Sequence, residues 1–399
     1  MRFHASPGRG ASGVLGWLLV AACTGAGEDT GHASVRDSAG VSIVTSTGID
    51  RPLDWTVEPV LRLGDAVGPP ETTLHRLNPY SVAAAPDGRL VVLNRGNYSV
   101  VVFSAEGTPL TSFGRRGDGP GEMRNPVSLW VSPSGPIRVL DWATGILSYE
   151  PDGTLISRDT GARGALGLGQ RVKETSESTV FTWNIGTRSG NAAVEQVRLV
   201  TGGDTLVLGE VRKQPTSTHR YPSCNNLRIQ WPPIFEPEIS WDAAGERLVV
   251  VPRLTYEIDL YEGDGRRTRS IRRPFGPVRV TRDDALAELG PNPGMGLNNA
   301  LCEFDAEELV DQRGFYDRLR AVDRLTLSPD GHLWVGRTRV GDEPGPIDVF
   351  RPDGVYAGTL PAATPFPLLF LDEDRYAAIE TDELDDEYVV VYRVAQGRG

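Results

Sequence analysis

Residues 80–114 read YSVAAAPDGRLVVLNRGNYSVVVFSAEGTPLTSFG, and the punctuation of this stretch decides the fold. Short apolar runs are cut by Pro86-Asp87-Gly88 and by Ala105-Glu106-Gly107. Proline presets φ for a turn, aspartate hydrogen-bonds the backbone just beyond it, and glycine takes the positive-φ position. The stretch therefore reads as four short antiparallel strands. The pattern returns over residues 126–158, 237–272 and 322–360. Its turns there include Asp242-Ala243-Ala244-Gly245, Gly263-Asp264-Gly265, Pro329-Asp330-Gly331 and Pro352-Asp353-Gly354. A weaker copy spans 167–211.

Within each clear copy the two turns lie about 20 residues apart, as two consecutive hairpins require. A four-stranded meander repeated around an axis is a propeller blade. Residues 366–371, 376–380 and 387–394 supply three strands of a last blade. Its fourth comes from the N-terminal region, either 41–47 or 55–64. Strands from both chain ends in one blade remove an exposed edge and lock the circle. The expected architecture is all-β: a six-bladed β-propeller of four-stranded antiparallel blades over residues 41–396, with two long inter-blade insertions that are partly helical.

Composition points the same way. Gly (46) and Pro (30) make up about a fifth of the chain and are spread rather than clumped, as an all-β chain with many turns requires. The formal charge of −12 becomes −14 when residues 1–22 are removed, because that segment carries Arg2 and Arg9 and no acid. Nucleic-acid binding needs clustered Lys and Arg. Lys173 and Lys213 are the only lysines of this acidic chain, and a nucleic-acid partner is excluded.

Arg2 and Arg9 accompany an apolar run, 14–22 (VLGWLLVAA), too short to cross a bilayer comfortably. That order reads as a secretory signal. Val20-Ala21-Ala22-Cys23 at its end resembles the lipobox of bacterial lipoproteins. The resemblance implies a signal peptide over 1–22, lipidation of Cys23 as the mature N-terminus, and a stable membrane anchor of several acyl chains. Thr24 after the cysteine implies, by the same resemblance, the outer membrane of the cell envelope. Residues 23–40 are small, polar and aperiodic, the composition of a flexible tether. With Cys23 lipidated, Cys224 and Cys302 remain, as one pair in an oxidising compartment or as two free thiols.

The run Phe113-Gly114-Arg115-Arg116-Gly117-Asp118-Gly119-Pro120-Gly121-Glu122, followed by Asn125-Pro126 and another strand, resembles the junction between NHL-type blades. The preceding LVVLNRGNYSVVVFSAEG is similar to that family's second and third strands. Lipobox included, the chain resembles the six-bladed NHL- and TolB-like propeller lipoproteins of bacteria, over about residues 55–395.

Two connections are too long to be plain turns. Residues 212–236 hold Tyr221, Cys224, Trp231 and Pro232-Pro233. Residues 276–320 carry helix signals: Thr281 with Asp284 before ALAEL, and Asp305 with Glu308 before ELVDQRGFYDRLR. Connections from an outer strand to the next inner strand emerge on one propeller face, together with those between second and third strands. Both insertions therefore flank the fourth blade as lids, and a Cys224–Cys302 disulfide is expected to pin them. Long ordered loops on one face are where binding concentrates. The candidate ligand-binding set is Asn94, Arg95, Arg115, Arg116, Asp141, Trp142, Trp231, Arg253 and Arg337. Asn94 and Asp141 serve equally as turn caps, and Trp142 as a filler between blades.

No catalytic residue is assigned. His4, His32, His75, His219 and His332 offer no pair at metal-ligand spacing, and Cys-x-x-Cys and Gly-x-Ser-x-Gly are both missing. Arg116-Gly117-Asp118 spells an adhesion tripeptide in a glycine-rich loop. TDELDDE (381–387) is acidic enough to invite calcium but lacks the spacing of a calcium loop, and reads as a solvated turn. Two function classes follow. The first is a non-catalytic, envelope-anchored monomer presenting its lidded face to a protein, glycan or small ligand. The second, drawn from resemblance to lactonase and amidating-lyase propellers, is an enzyme holding calcium or zinc on the axis. No full ligand set for it is matched, and substitution of Asp141 and Glu380 separates the two classes.

Overall fold

The turn aspartates act as their chemistry dictates. A computed structural model describes residues 33–397 except 66, 70–71, 162–170, 186–192, 217, 222–225, 292, 298–299 and 342. In it Asp87 Oδ1 accepts from Arg89 N at 3.2 Å, Asp152 from Thr154 N at 2.9 Å, and Asp353 from Val355 N at 3.0 Å. Gly107 sits at φ 88°, and a Cβ there would stand 2.5 Å from Leu61 Cδ1. Only glycine fits that turn without displacing a neighbour.

The hairpins assemble into six four-stranded antiparallel units, paired in order from the innermost strand outward. Blade I is Val82–Ala84, Leu90–Asn94, Ser99–Phe103 and Pro109–Phe113. Blade II is Pro126–Val131, Ile137–Asp141, Gly145–Tyr149 and Leu155–Asp159. Blade III is Val172–Glu174, Ser178–Ile185, Ala193–Thr201 and Asp204–Lys213. Blade IV is Trp241–Ala244, Arg247–Val250, Glu257–Glu262 and Arg267–Arg272. Blade V is Val322–Leu327, Leu333–Arg337, Ile347–Phe350 and Tyr356–Leu360. Blade VI is Leu369–Phe370, Arg375–Thr381, Glu387–Gln396 and, outermost, Trp55–Leu63. The chain is a six-bladed β-propeller.

The core lies between blades. Leu93 and Val100 of blade I pack on Leu129 and Val139 of blade II, and Trp334 of blade V packs on Tyr376 of blade VI. Middle strands have neighbours on both faces, so LVVLN and SVVVF are buried at every position and read as unbroken runs. Each such Val or Leu contributes about 1.5–3 kcal/mol on burial.

Of the two candidate closing segments, Trp55–Leu63 closes the ring, pairing with Glu387–Gln396 over eight residue pairs. Val41–Ser46 takes another role. It runs parallel to Arg267–Arg272 and antiparallel to Ala33–Ser38, so blade IV carries six strands. Burial of Ala33, Ile43 and Val44 holds this hairpin in place, and the stretch expected as tether over 23–40 ends in a strand from Ala33. Residues 1–22 and Cys23 lie outside the described residues.

Between hairpin and closing strand, the chain is strapped across blade V. Arg273 Nε donates to Thr47 O at 3.0 Å, Arg51 N to Tyr356 Oη at 3.1 Å, and Leu53 N to Thr359 O at 3.1 Å. Asp50 bridges Arg273 at 3.1 Å and Arg337 at 2.5 Å. Burial pushes the Asp50 carboxyl up, but the bonds from Arg337 and Arg273 outweigh it and hold the group below its ordinary 3.8. A depressed carboxyl stabilises above its unfolded value and stops doing so as pH falls through the folded one. The urea midpoint should therefore drop once pH passes below about 4, and Asp50→Asn should flatten that acid limb while lowering the neutral plateau. An unchanged acid limb in the variant would remove Asp50 from the strap's energetics.

The turn expected at Asp242-Ala243-Ala244-Gly245 is instead a strand that turns only at Gly245 (φ 57°). The fully buried Asp242 pairs with Arg171 at 2.6 Å and Lys173 at 2.5 Å and accepts from Leu327 N at 2.8 Å. Its carboxylate is committed to blades III and V, which leaves nothing for a local cap.

Candidate functional site

The two insertions form one cap. The first holds the hairpin Thr218–Tyr221 with Leu227–Gln230. The second holds helix α1 (Arg282–Leu289), the hairpin Gly294–Leu297 with Ala300–Glu303, and helix α2 (Ala306–Arg313). Thr281 and Asp284 make a complete capping box on α1. Asp305 accepts from Glu308 N at 2.8 Å to cap α2, and Gly314 (φ 65°) ends it. The insertions interlock through Ile234 N to Gly314 O and Tyr316 N to Ile234 O, both 3.0 Å, and Arg313 Nε to Pro232 O at 3.1 Å. Tyr221 and Phe304 meet edge-on, centroids 4.7 Å apart, in a cluster with Cys302 and Leu309. Cys224 lies outside the described residues.

Below the cap a cavity of about 1250 Å³ opens on the propeller axis. Its wall is built largely from segments that lead into innermost strands: Tyr80, Arg171, Glu238 with Ser240, Arg320, and Pro367. The cap adds Phe235, Glu236, Glu288 and Arg318, and the half-buried Trp142 adds an aromatic face, while Trp241 and Phe366 border the cavity as buried residues.

Most charges on this wall are consumed in pairs. Lys213, almost fully buried, sits between Glu195 at 2.8 Å and Glu236 at 3.1 Å. Burial pulls the Lys213 ammonium down, and the two carboxylates more than offset it, holding the group above its usual value. Arg171 is bonded to Asp242 and to Trp241 O, with its guanidinium over the Trp241 ring at 4.8 Å. Arg324 pairs with Asp323 at 3.6 Å and Arg339 with Glu343 at 3.3 Å.

Arg320 differs. Its one hydrogen bond to the described residues runs from Nη1 to Ser240 Oγ at 2.9 Å. Burial pushes its pKa down, against the pull of Glu195, Glu238 and Asp323. The Tyr80 hydroxyl makes no hydrogen bond to the described residues. Burial raises it, opposed by Arg171 and reinforced by Glu238 and Glu195. Arg320 and Tyr80 thus feel the same two carboxylates and line the same cavity.

Of the residues singled out from the sequence, Trp142 lines this cavity. Asp141 is fully buried, and its carboxylate accepts from Arg124 N, Asn125 N, Ala143 N and Thr144 N at 2.7–2.9 Å. Asn94 clamps a loop by donating to Thr73 O at 2.6 Å and accepting from His75 N at 3.1 Å. Arg95 joins blades I and II through Pro126 O at 3.1 Å. Arg115 pairs with Glu122 at 2.6 Å, and Arg116 lies over Tyr98 at 5.5 Å. Trp231 packs inside the cap against Phe304 and Arg313. Arg253 is exposed beside Glu257 at 3.7 Å, and Arg337 belongs to the strap on blade V. The missed wall residues, Tyr80, Arg171, Glu238, Ser240 and Arg320, share one legible signal: each lies just before an innermost strand.

Among the described residues no group of three or more His, Cys, Asp or Glu is placed to hold a metal ion, so an axial calcium or zinc finds no donor set there. In the acidic turn Asp382 accepts from Leu384 N at 2.9 Å, Asp386 N at 3.0 Å and Tyr388 Oη at 3.0 Å. That carboxylate shapes the turn.

No protein-family model matches the sequence, and no curated protein matches it. Solved structures similar to the chain include a member of the DUF4221 family from Bacteroides vulgatus, 12% identical, covering 87% of this chain and 100% of that one at a TM-score of 0.49. Virginiamycin B lyase from Staphylococcus aureus is 14% identical over 85% of this chain and 99% of its own, at a TM-score of 0.38. The calcium-binding protein regucalcin from Agrobacterium tumefaciens is 13% identical over 85% and 96%, at 0.39.

Proposed function

We propose that this protein is an envelope-anchored binding protein that takes a small organic ligand into its capped axial cavity. The observation that carries the reading is the cavity itself: about 1250 Å³, aromatic and charged, roofed by two insertions that pack on each other. Sites for small molecules are concave, apolar over most of their wall, and supplied with a few convergent polar groups.

Lipidation of Cys23 is the anchoring half of the proposal and rests on Val20-Ala21-Ala22-Cys23. The nine residues from Thr24 to His32 then set the reach, since an extended chain of that length spans ~30 Å at most. No helix among the described residues is long and apolar enough to cross a membrane. The proposal also pairs Cys224 with Cys302, which is buried beside Tyr221 and is not a free thiol. Such a link would fasten the first insertion to the second.

Native mass spectrometry of the protein purified gently from its own envelope tests the reading. A stoichiometric small molecule is expected on the folded chain, and a bare chain that instead crosslinks to one envelope protein would overturn it. Peptide mapping of the same sample without reductant should return a lipid-modified Cys23 and a Cys224–Cys302 peptide pair.

A further inference from the structure

Once the paired charges are set aside, the cavity wall retains Arg320 and Glu238 within it, and Arg318 and Glu288 where the cap contributes, none of them in an ion pair among the described residues. Two unpaired cations and two unpaired anions face one space. Among the described residues Arg320 is hydrogen-bonded by Ser240 Oγ only, and Ser240 is itself fixed by donating to Asp323 O at 2.8 Å. A guanidinium offers five N–H donors, so most of Arg320 is left for a ligand. Glu238 is exposed and lines the same cavity as Arg320 and Tyr80. It does not close an ion pair with Arg320. The two opposite charges therefore line one cavity without neutralising each other, and Tyr80 lines the same cavity.

Resting on the reading of the cavity as a ligand site, we propose that its ligand is a small zwitterion of peptide type. Arg320, positioned by Ser240, takes the carboxylate, Glu238 takes the ammonium, and the apolar body lies against Trp142 and Phe235. A plain organic anion would meet Glu238 as a like charge, and a plain cation would meet Arg320. Only a ligand carrying both signs satisfies both groups, and a charged hydrogen bond at each end fixes its direction. The volume of about 1250 Å³ exceeds the usual range for small-ligand pockets, which favours a short peptide over a single amino acid.

Three probes of one shape separate the charges: the dipeptide Phe-Phe, N-acetyl-Phe-Phe, and Phe-Phe amide, each titrated calorimetrically into the full mature chain. Free Phe-Phe should bind at least tenfold more tightly than either blocked form. Arg320→Gln should weaken Phe-Phe and the acetylated form at least tenfold and leave the amide unchanged. Glu238→Gln should weaken Phe-Phe and the amide and spare the acetylated form. Glu238 is exposed, so that variant keeps its fold even if Arg320→Gln does not. Equal binding of free and blocked probes overturns the proposal, as does binding of none of them at millimolar concentration. A non-zwitterionic molecule found on the protein from its own envelope would sink this inference while leaving the cavity reading intact.

Discussion

A chain that begins at Asp65, lacking Trp55–Leu63, is expected to lose cooperative unfolding at 25 °C. The reason is geometric before it is energetic. Glu387–Gln396 would become an outer edge over the eight residue pairs it now shares with Trp55–Leu63. At about 1 kcal/mol net for each backbone hydrogen bond in that ladder, the loss is on the order of 5 kcal/mol or more. Trp55 would also leave Trp334, 6.0 Å away, and Leu63 would leave the blade VI–blade I core. A domain stable by about 5–15 kcal/mol has little left after that. A chain starting at Thr47 keeps the strap and the closing strand and should still unfold in one transition, at a lower urea midpoint. If both truncations melt alike, the closing strand is not what locks the circle.

Asp348→Ala is expected to cost about 3–5 kcal/mol, the range for breaking one partner out of a buried pair. Asp348 and Arg273 are both fully buried, with Arg273 Nη1 2.7 Å from Asp348 Oδ2. Tyr256 Oη donates to Asp348 Oδ2 at 2.8 Å, and Thr359 Oγ1 donates to Asp348 Oδ1 at 2.7 Å. Removing the carboxylate leaves the Tyr256 phenol without its partner and Arg273 with Asp50 as its remaining, half-exposed carboxylate. Arg273 stays charged at any ordinary pH, so it has no route to relief by titration. Replacing both partners, with Arg273→Met and Asp348→Leu, should recover only part of the loss, because the buried charge is gone but the Tyr256 hydroxyl and Thr47 O still lose their partners. Asp87→Ala, at the exposed pair with Arg89, is the control and should shift stability by less than about 1 kcal/mol. Equal losses at Asp87 and Asp348 would mean that burial is not what gives the blade IV–blade V network its weight.

Some of the site was within reach of the sequence. Long insertions on one face, helix caps at Thr281 and Asp305, and a cap over the axis all follow from loop length and local capping chemistry. The wall residues did not follow, because second-strand ends such as Asn94 and Asp141 carry the same polar signal. Those positions turn their polar groups back into the backbone: Asp141 alone satisfies four N–H groups. A polar residue in a loop looks the same in sequence whether its hydrogen bonds go inward or to a ligand.

The blades themselves were determined locally. Pro-Asp-Gly turns, strands of about five residues and unbroken apolar runs each depend on φ/ψ preference and side-chain period over a few neighbours, which one chain segment carries alone. Tertiary structure decided what depends on distant partners. It chose Trp55–Leu63 over Val41–Ser46 as the closing strand, and sent Val41–Ser46 to a parallel edge on blade IV. It drew Asp242 out of a turn and into blades III and V. It set Asp50 against Arg273 across 223 residues of sequence, and it paired most of the cavity's charges while leaving Arg320 and Glu238 apart. Each of these outcomes is a competition among side chains far apart in the chain, and only the closed ring brings the competitors within bonding distance.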